Sequence, residues 1–288
     1  MLCYKLNLPG VFGWRIKGVG KCVELVQKLK QIMQLSQSSE DTAEITIMPR
    51  SCYDSLSEKD CFNLRIFYSR KAVRLFHNTH SKTWLMVIPE NILSDHKTRI
   101  VLTWLMMRPF YLHCLSNGGL PVHASSADLN GRGIIIASSG DTGKTTTVRR
   151  LPEPWQELAD DTALLLPDGD GFSLYPLPTW SEFILGRNKS ASWNTKKGTK
   201  LSGIFFLEQS KHDKAERLPL PLSIMSLYES SMEAIGELKE DMSNELRTEI
   251  FETAARITAK VPSFSLQATL TGKVWESIES ALTEEQWK

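Results

Sequence analysis

The sequence predicts an α/β protein in which a phosphate-loop core with a mixed β-sheet is flanked by helices and joined to a smaller N-terminal α+β unit. Three observations carry this expectation. An apolar run, Ile134-Ile135-Ile136-Ala137, leads into Ser138-Ser139-Gly140-Asp141-Thr142-Gly143-Lys144-Thr145 and then a short helical segment ending at Leu151. Strand-like and helix-like periodicities occur on both sides of that loop. The chain has 288 residues, 41% hydrophobic and 23% charged, which suits one large or two modest domains with a self-sufficient core.

Residues 1–94 read as a support or peptide-recognition domain. Val11 to Ile16 and Ile45 to Met48 have short β patterns on either side of a helical stretch from Val23 to Leu35. Within that stretch Val23, Val26, Leu29, Ile32 and Met33 recur at helical intervals. Gln34 to Asp41 is serine-rich and acidic and reads as a surface loop. Asn63 to Tyr68 and Trp84 to Ile88 read as strands, the second stopped by Pro89. His77 and His80 share a loop-like segment, as exposed polar residues or as a pair of metal ligands.

Residues 95–288 carry the nucleotide-binding candidate. Asp95 is placed to cap a helix whose apolar positions are Ile100, Leu102, Leu105, Met106 and Leu112, ended by Gly118-Gly119. A strand from Leu120 to Ala127 follows, and Asn130-Gly131 is a strong two-residue hairpin signal. The hairpin sets His123 near the base of the loop. Pro152 and Pro154 break the helix after the loop. Leu158 to Leu166 reads as a buried strand interrupted by Asp160-Asp161. Two ionised carboxylates in an apolar run are costly unless a cation or hydrogen bonds compensate them, although a solvated turn at the start of a strand has the same spelling. Further strands are expected at Phe172–Tyr175, Gly203–Leu207 and within Val261–Leu270, with helices over Ser223–Leu238, Met242–Ala259 and Val274–Leu282.

A strand, a glycine loop and a helix make a phosphate cradle, because backbone N–H groups and the helix dipole face anionic oxygens. Ser139, Gly140, Asp141, Thr142, Gly143, Lys144, Thr145 and Thr146 are the nucleotide-binding candidates. The Gly-Lys-Thr ending fits the P-loop (Walker A) template, whereas the template's first glycine is Ser138 here. A plain structural turn is the alternative. In this template the lysine reaches the outer phosphates and the threonine hydroxyl takes a place on magnesium. Asp141 is out of keeping with a phosphate loop unless it points outward or meets the metal. Arg187, Lys189, Lys196, Lys197 and Lys200 form a run without acidic residues, either a phosphate or acidic-substrate clamp or a solvated loop.

Composition narrows the partners. A formal net charge of +1 argues against a nucleic-acid binder. Cys3, Cys22, Cys52, Cys61 and Cys114 show no CxxC spacing and read as reduced thiols. No signal-peptide pattern and no membrane-length apolar run is present, so a soluble, cytoplasmic protein without membrane association is expected.

Val122-His123-Ala124, Gly133-Ile134-Ile135-Ile136, the loop, and Leu158-Ala159-Asp160-Asp161 occur in the order and spacing of the HPr kinase/phosphorylase group, which the chain resembles over roughly residues 100 to 210. That group is related in fold to phosphoenolpyruvate carboxykinase. The first ninety-odd residues do not match the bacterial enzyme's N-terminal domain, and its C-terminal signature segment is missing. In layout the chain is more similar to divergent relatives in peptide natural-product clusters: serine kinases of lasso-peptide precursors, and cassette proteins that accompany radical peptide-modifying enzymes. The resemblance implies an HPr kinase-like core using ATP and Mg2+, and phosphoryl transfer to a serine of a peptide or protein. Thr145 and Asp161 are the magnesium-ligand candidates; the resemblance implies Asp160 as the base, with the roles of the two aspartates open to exchange, and His123 close to the reacting phosphate, orienting Asp160 or donating to the group in transit. A satisfied core histidine is the plain alternative for His123. Ring-forming relatives keep a homo-oligomer open. A small-molecule hydroxyl kinase and a non-catalytic nucleotide sensor are the competing functions.

Overall fold

The computed structural model describes residues 2–8, 12–32, 35–38, 44–70, 73–81, 83–91, 96–138, 142–177, 197–236 and 242–284. They fall into two compact units, divided between Phe110 and Tyr111. Each is built on a mixed sheet with helices, so the α/β class holds.

The first unit contains β1 (Leu2–Leu8), β2 (Phe12–Gly18), α1 (Cys22–Ile32), β3 (Ser36–Gln37), β4 (Ile45–Pro49), α2 (Arg50–Asp54), α3 (Glu58–Cys61), β5 (Leu64–Arg70), β6 (Val73–Asn78) and β7 (Thr83–Ile88). The helix α4 (His96–Leu115) follows and spans the division between the units. The strand order is β3-β1-β2-β4-β7-β6-β5, with β4 parallel to β2 and β7 and the other pairings antiparallel. Along β6, Val73 and Leu75 are buried on one face and Phe76 on the other. His77 belongs to this strand rather than to a loop: it pairs with Trp84, and the two rings stack with centroids 4.4 Å apart. Burial against that ring holds the imidazole below its ordinary pKa. The described residues include no cluster of three or more His, Cys, Asp or Glu that could hold a metal. The expected cap Asp95 lies outside the described residues.

The second unit contains β8 (Leu120–Leu129), β9 (Arg132–Ala137), α5 (Lys144–Arg149), β10 (Gln156–Ala159), β11 (Thr162–Asp168), β12 (Gly171–Leu177), β13 (Thr199–Gln209), β14 (Lys214–Arg217), α6 (Leu220–Ile235), α7 (Asn244–Lys260), β15 (Ser263–Ala268) and α8 (Val274–Glu284). The predicted hairpin joins β8 to β9. Asn130 and Gly131 both have positive φ, 52° and 85°, as a two-residue type I′ turn requires. The strand β9 is also parallel to β13. The pairings β8–β9, β9–β13, β13–β12, β12–β11 and β11–β8 form a closed circuit of strands.

Both faces of β9 are buried, which is why it reads as a continuous apolar run. Ile135 and Ala137 pack with Leu227, Met232, Ile250 and Ile257 of α6 and α7. Ile134 and Ile136 pack on the other side with Val148 of α5 and Val274 and Ile278 of α8. Ser243 caps α7 by accepting the Leu246 N–H. No helix among the described residues is long and apolar enough to cross a membrane.

The fold generates two predictions. A Cβ at Gly131 would meet nothing within 4 Å, so Gly131→Ala carries only the left-handed backbone cost, about 1–2 kcal/mol in chemical unfolding. A Cβ at Gly133 would collide with Thr199 Cγ2 and sit 3.0 Å from Leu174 Cδ2, so Gly133→Ala is expected to cost as much or more through overpacking, about 1–3 kcal/mol. The second concerns the thiols. Burial pushes Cys22 and Cys114 up to about 12 from the ordinary 9.0, so the folded chain holds those protons more tightly than the unfolded one. Unfolding free energy should therefore decline as pH rises above about 9. A thiol reagent at pH 8 should modify the half-buried Cys52 and Cys61 readily, and the buried Cys3, Cys22 and Cys114 only on unfolding.

Candidate functional site

The sequence predicts one strand from Leu158 to Leu166, and the structure splits it. Ala159 pairs with Ser126 and Thr162 pairs with His123, which leaves Asp160 and Asp161 between β10 and β11, opposite Ser125 and Ala124. Side-chain hydroxyls satisfy the backbone there. Ser125 Oγ donates to the Asp160 carbonyl at 2.5 Å, and Thr145 Oγ1 donates to the same oxygen at 3.0 Å. Helix α5 is thereby pinned to the break, and Asp160 is only 3% exposed.

Lys144, the first residue of α5, is 7% exposed. Its ammonium donates to the Ser138 carbonyl at 3.0 Å and lies 3.0 Å from His123 Nε2. An ammonium can only donate, so Nε2 accepts and the imidazole proton belongs on Nδ1. That nitrogen faces Asp161 Oδ1 at 3.4 Å. Asp161 Oδ2 accepts from Thr162 Oγ1 at 3.3 Å. Tyr111 completes this end of the chain: its hydroxyl engages Thr162, and burial followed by the Asp161 charge raises its pKa. The result is a continuous polar chain from Ser138 through Lys144, His123 and Asp161 to Thr162 and Tyr111. Ser230 on α6 donates to the His123 carbonyl at 3.1 Å and ties the strand to its covering helix.

Of the expected loop residues, Ser139, Gly140 and Asp141 lie outside the described residues. Thr142 presents its carbonyl to Gln209 Nε2 at 3.3 Å, and Gly143 adopts φ 101°, a value that requires glycine. Thr146 is exposed. The structure links the side chains of Lys144, His123 and Asp161, and sets the Thr145 hydroxyl on the backbone carbonyl of Asp160. Arg187, Lys189 and Lys196 lie outside the described residues, and Lys197 is exposed. Lys200 pairs with Arg132 at the start of β9. The loop leaves the other end of that strand, about 17 Å away at strand rise, so Lys200 does not join the site.

Sequence reading missed Tyr111, Ser125, Thr162, Ser230 and Gln209 as members of this constellation. Period-two alternation could have found Ser125, which shares a strand face with His123. Thr162 directly follows Asp161, and Tyr111, Ser230 and Gln209 come from distant segments.

The site's oxygens fit a magnesium ion. Thr145 Oγ1 gives its proton to the Asp160 carbonyl and keeps lone pairs for a cation, and the Asp161 side chain is 33% exposed. Magnesium takes one or two carboxylates and fills its remaining positions with phosphate and water oxygens.

The family described as SynChlorMet cassette protein ScmC matches residues 87–283. Among solved structures, the Hpr(Ser) kinase/phosphatase from Coxiella burnetii is similar at 11% identity and a TM-score of 0.31, over 58% of this chain and 89% of that one. No curated protein matches.

The polar chain predicts that His123→Ala, by removing a partner from the buried Lys144, lowers stability by about 1–3 kcal/mol in chemical unfolding. His123→Gln, which keeps an acceptor, should recover part of that loss.

Proposed function

The chain belongs to the SynChlorMet cassette protein ScmC family, and we propose that it is an ATP-dependent kinase transferring the γ-phosphoryl group to a serine hydroxyl of a peptide. The observation that carries this reading is the convergence of Lys144, His123, Asp161 and the Asp160 backbone on the end of β9 from which the glycine loop springs. A phosphate site needs only the loop. An aspartate pair tied to the phosphate helix through the Asp160 backbone, with Asp161 linked to the loop lysine through His123, adds what transfer to a hydroxyl demands.

Phosphoryl transfer is catalysed mostly by positioning and charge neutralisation. Thr145 and Asp161 would hold a magnesium ion, which would supply positive charge against that of the phosphates. Lys144 is preset between Ser138 and His123, and exchanges those contacts for phosphate oxygens. His123 orients Asp161, rather than the expected Asp160, through Nδ1. Asp160 accepts the proton of the attacking serine. Its burial keeps bulk water from competing with the acceptor. Residues 1–94, which lie within the first unit, are assigned to holding the peptide, and the acceptor is a ribosomal natural-product precursor.

Incubation with ATP, magnesium and candidate precursor peptides, read by mass, should give one added phosphate on a serine. Asp160→Asn should reduce transfer by about 10²-fold or more while leaving ATP affinity in place. Asp161→Asn should instead raise the magnesium concentration needed for half-maximal rate. An exchange of these two phenotypes would exchange the two assigned roles, and full activity of Asp160→Asn would remove it as the base.

A further inference from the structure

We propose that the base and ribose of the nucleotide dock on the edge formed by the ends of β13 and β15, with Leu270 as the apolar contact for the base. This rests on the kinase reading and adds the nucleoside subsite to it.

The direction comes from the sheet. Strands β9, β13 and β15 are parallel, so their carboxyl ends share one edge, the edge at which the phosphate loop leaves β9. On one side of β9 lie β8, β10 and β11, carrying His123, Asp160 and Asp161. Lys144 turns to that side through His123. The transferring phosphate therefore belongs there, and a linear triphosphate held by the loop directs its nucleoside the other way, over β13 and β15. Gln209 marks the path: it ends β13, pairs with Ala268 of β15, and donates to the Thr142 carbonyl of the loop.

What lies beyond Ala268 is a fixed platform. Asp213 Oδ1 accepts the Thr269 N–H at 2.6 Å, and Thr269 Oγ1 accepts the Gly272 N–H at 2.7 Å. Arg150, at the end of α5, donates to the Thr269 carbonyl at 2.6 Å and to the Gly272 carbonyl. A Cβ at Gly272 would collide with Asp213, so the two loops are packed closely. From this pinned turn Leu270 projects with 79% of its surface exposed. An apolar side chain held in solvent on a rigid turn, beside the phosphate helix, suits the face of a purine base.

The test uses the full chain and compares binding of ATP with binding of inorganic tripolyphosphate by calorimetry. Leu270→Ala and Leu270→Gln are surface changes that add no charge. The wild-type chain should bind ATP more tightly than tripolyphosphate. Both variants should weaken ATP about tenfold and leave tripolyphosphate within about twofold, while Leu270→Met keeps wild-type affinity for both. Wild-type ATP affinity in Leu270→Gln, or equal loss of both ligands, overturns the subsite and leaves the kinase reading standing. A wild-type chain that binds neither ligand overturns both.

Discussion

A lysine ammonium buried to 7% exposure is the constraint on which the second unit depends. An isolated charge in such a place would be prohibitive, so Lys144 must be surrounded by acceptors fixed before it arrives. The Ser138 carbonyl comes from the end of β9 and His123 from β8, and the hairpin that pairs these strands fixes the distance between them. Asp161 then faces the other nitrogen of the same imidazole. Each partner lies on a different element, so the lysine is satisfied only when the sheet is correctly assembled.

The break at Asp160-Asp161 follows the same economy. Opening a central ladder exposes backbone groups, and the molecule meets that cost with Ser125 and Thr145 on a single carbonyl. Those hydroxyls also join α5 to the strands that carry the carboxylates. Backbone satisfaction and site assembly are thus one set of contacts. Loss of packing beneath β8 or α5 would be felt in the site because no slack separates them.

Much of the second unit was legible because its signals are local. Asn130-Gly131 specifies its turn through two positive φ values, and β9 announces burial on both faces through Ile134-Ile135-Ile136. Less was legible in the first unit. The sequence reading does not identify β1 and β6, although Leu2, Tyr4, Leu6 and Leu8 alternate with Lys5 and Asn7 and Val73 and Leu75 flank Arg74, and it reads His77 as a loop residue although the ring stacks on Trp84. The charged β14, Lys214–Arg217, carries no hydrophobic alternation and exists by pairing with β15. The break between β10 and β11 was spelled as a strand, because Leu158 to Leu166 is apolar on both sides of the aspartates.

By itself, the sequence determined the loop, the hairpin before it and the carboxylate pair after it, since each is written in contiguous residues with strong backbone or periodic preferences. Only the tertiary structure decided which atoms meet. It set Lys144 on His123, His123 on Asp161, and the Thr145 hydroxyl on the Asp160 carbonyl. It also separated Lys200 from the site by the length of a strand. Those choices depend on strand register and on which edge of the sheet each chain end reaches, and both are fixed by packing among residues far apart in sequence.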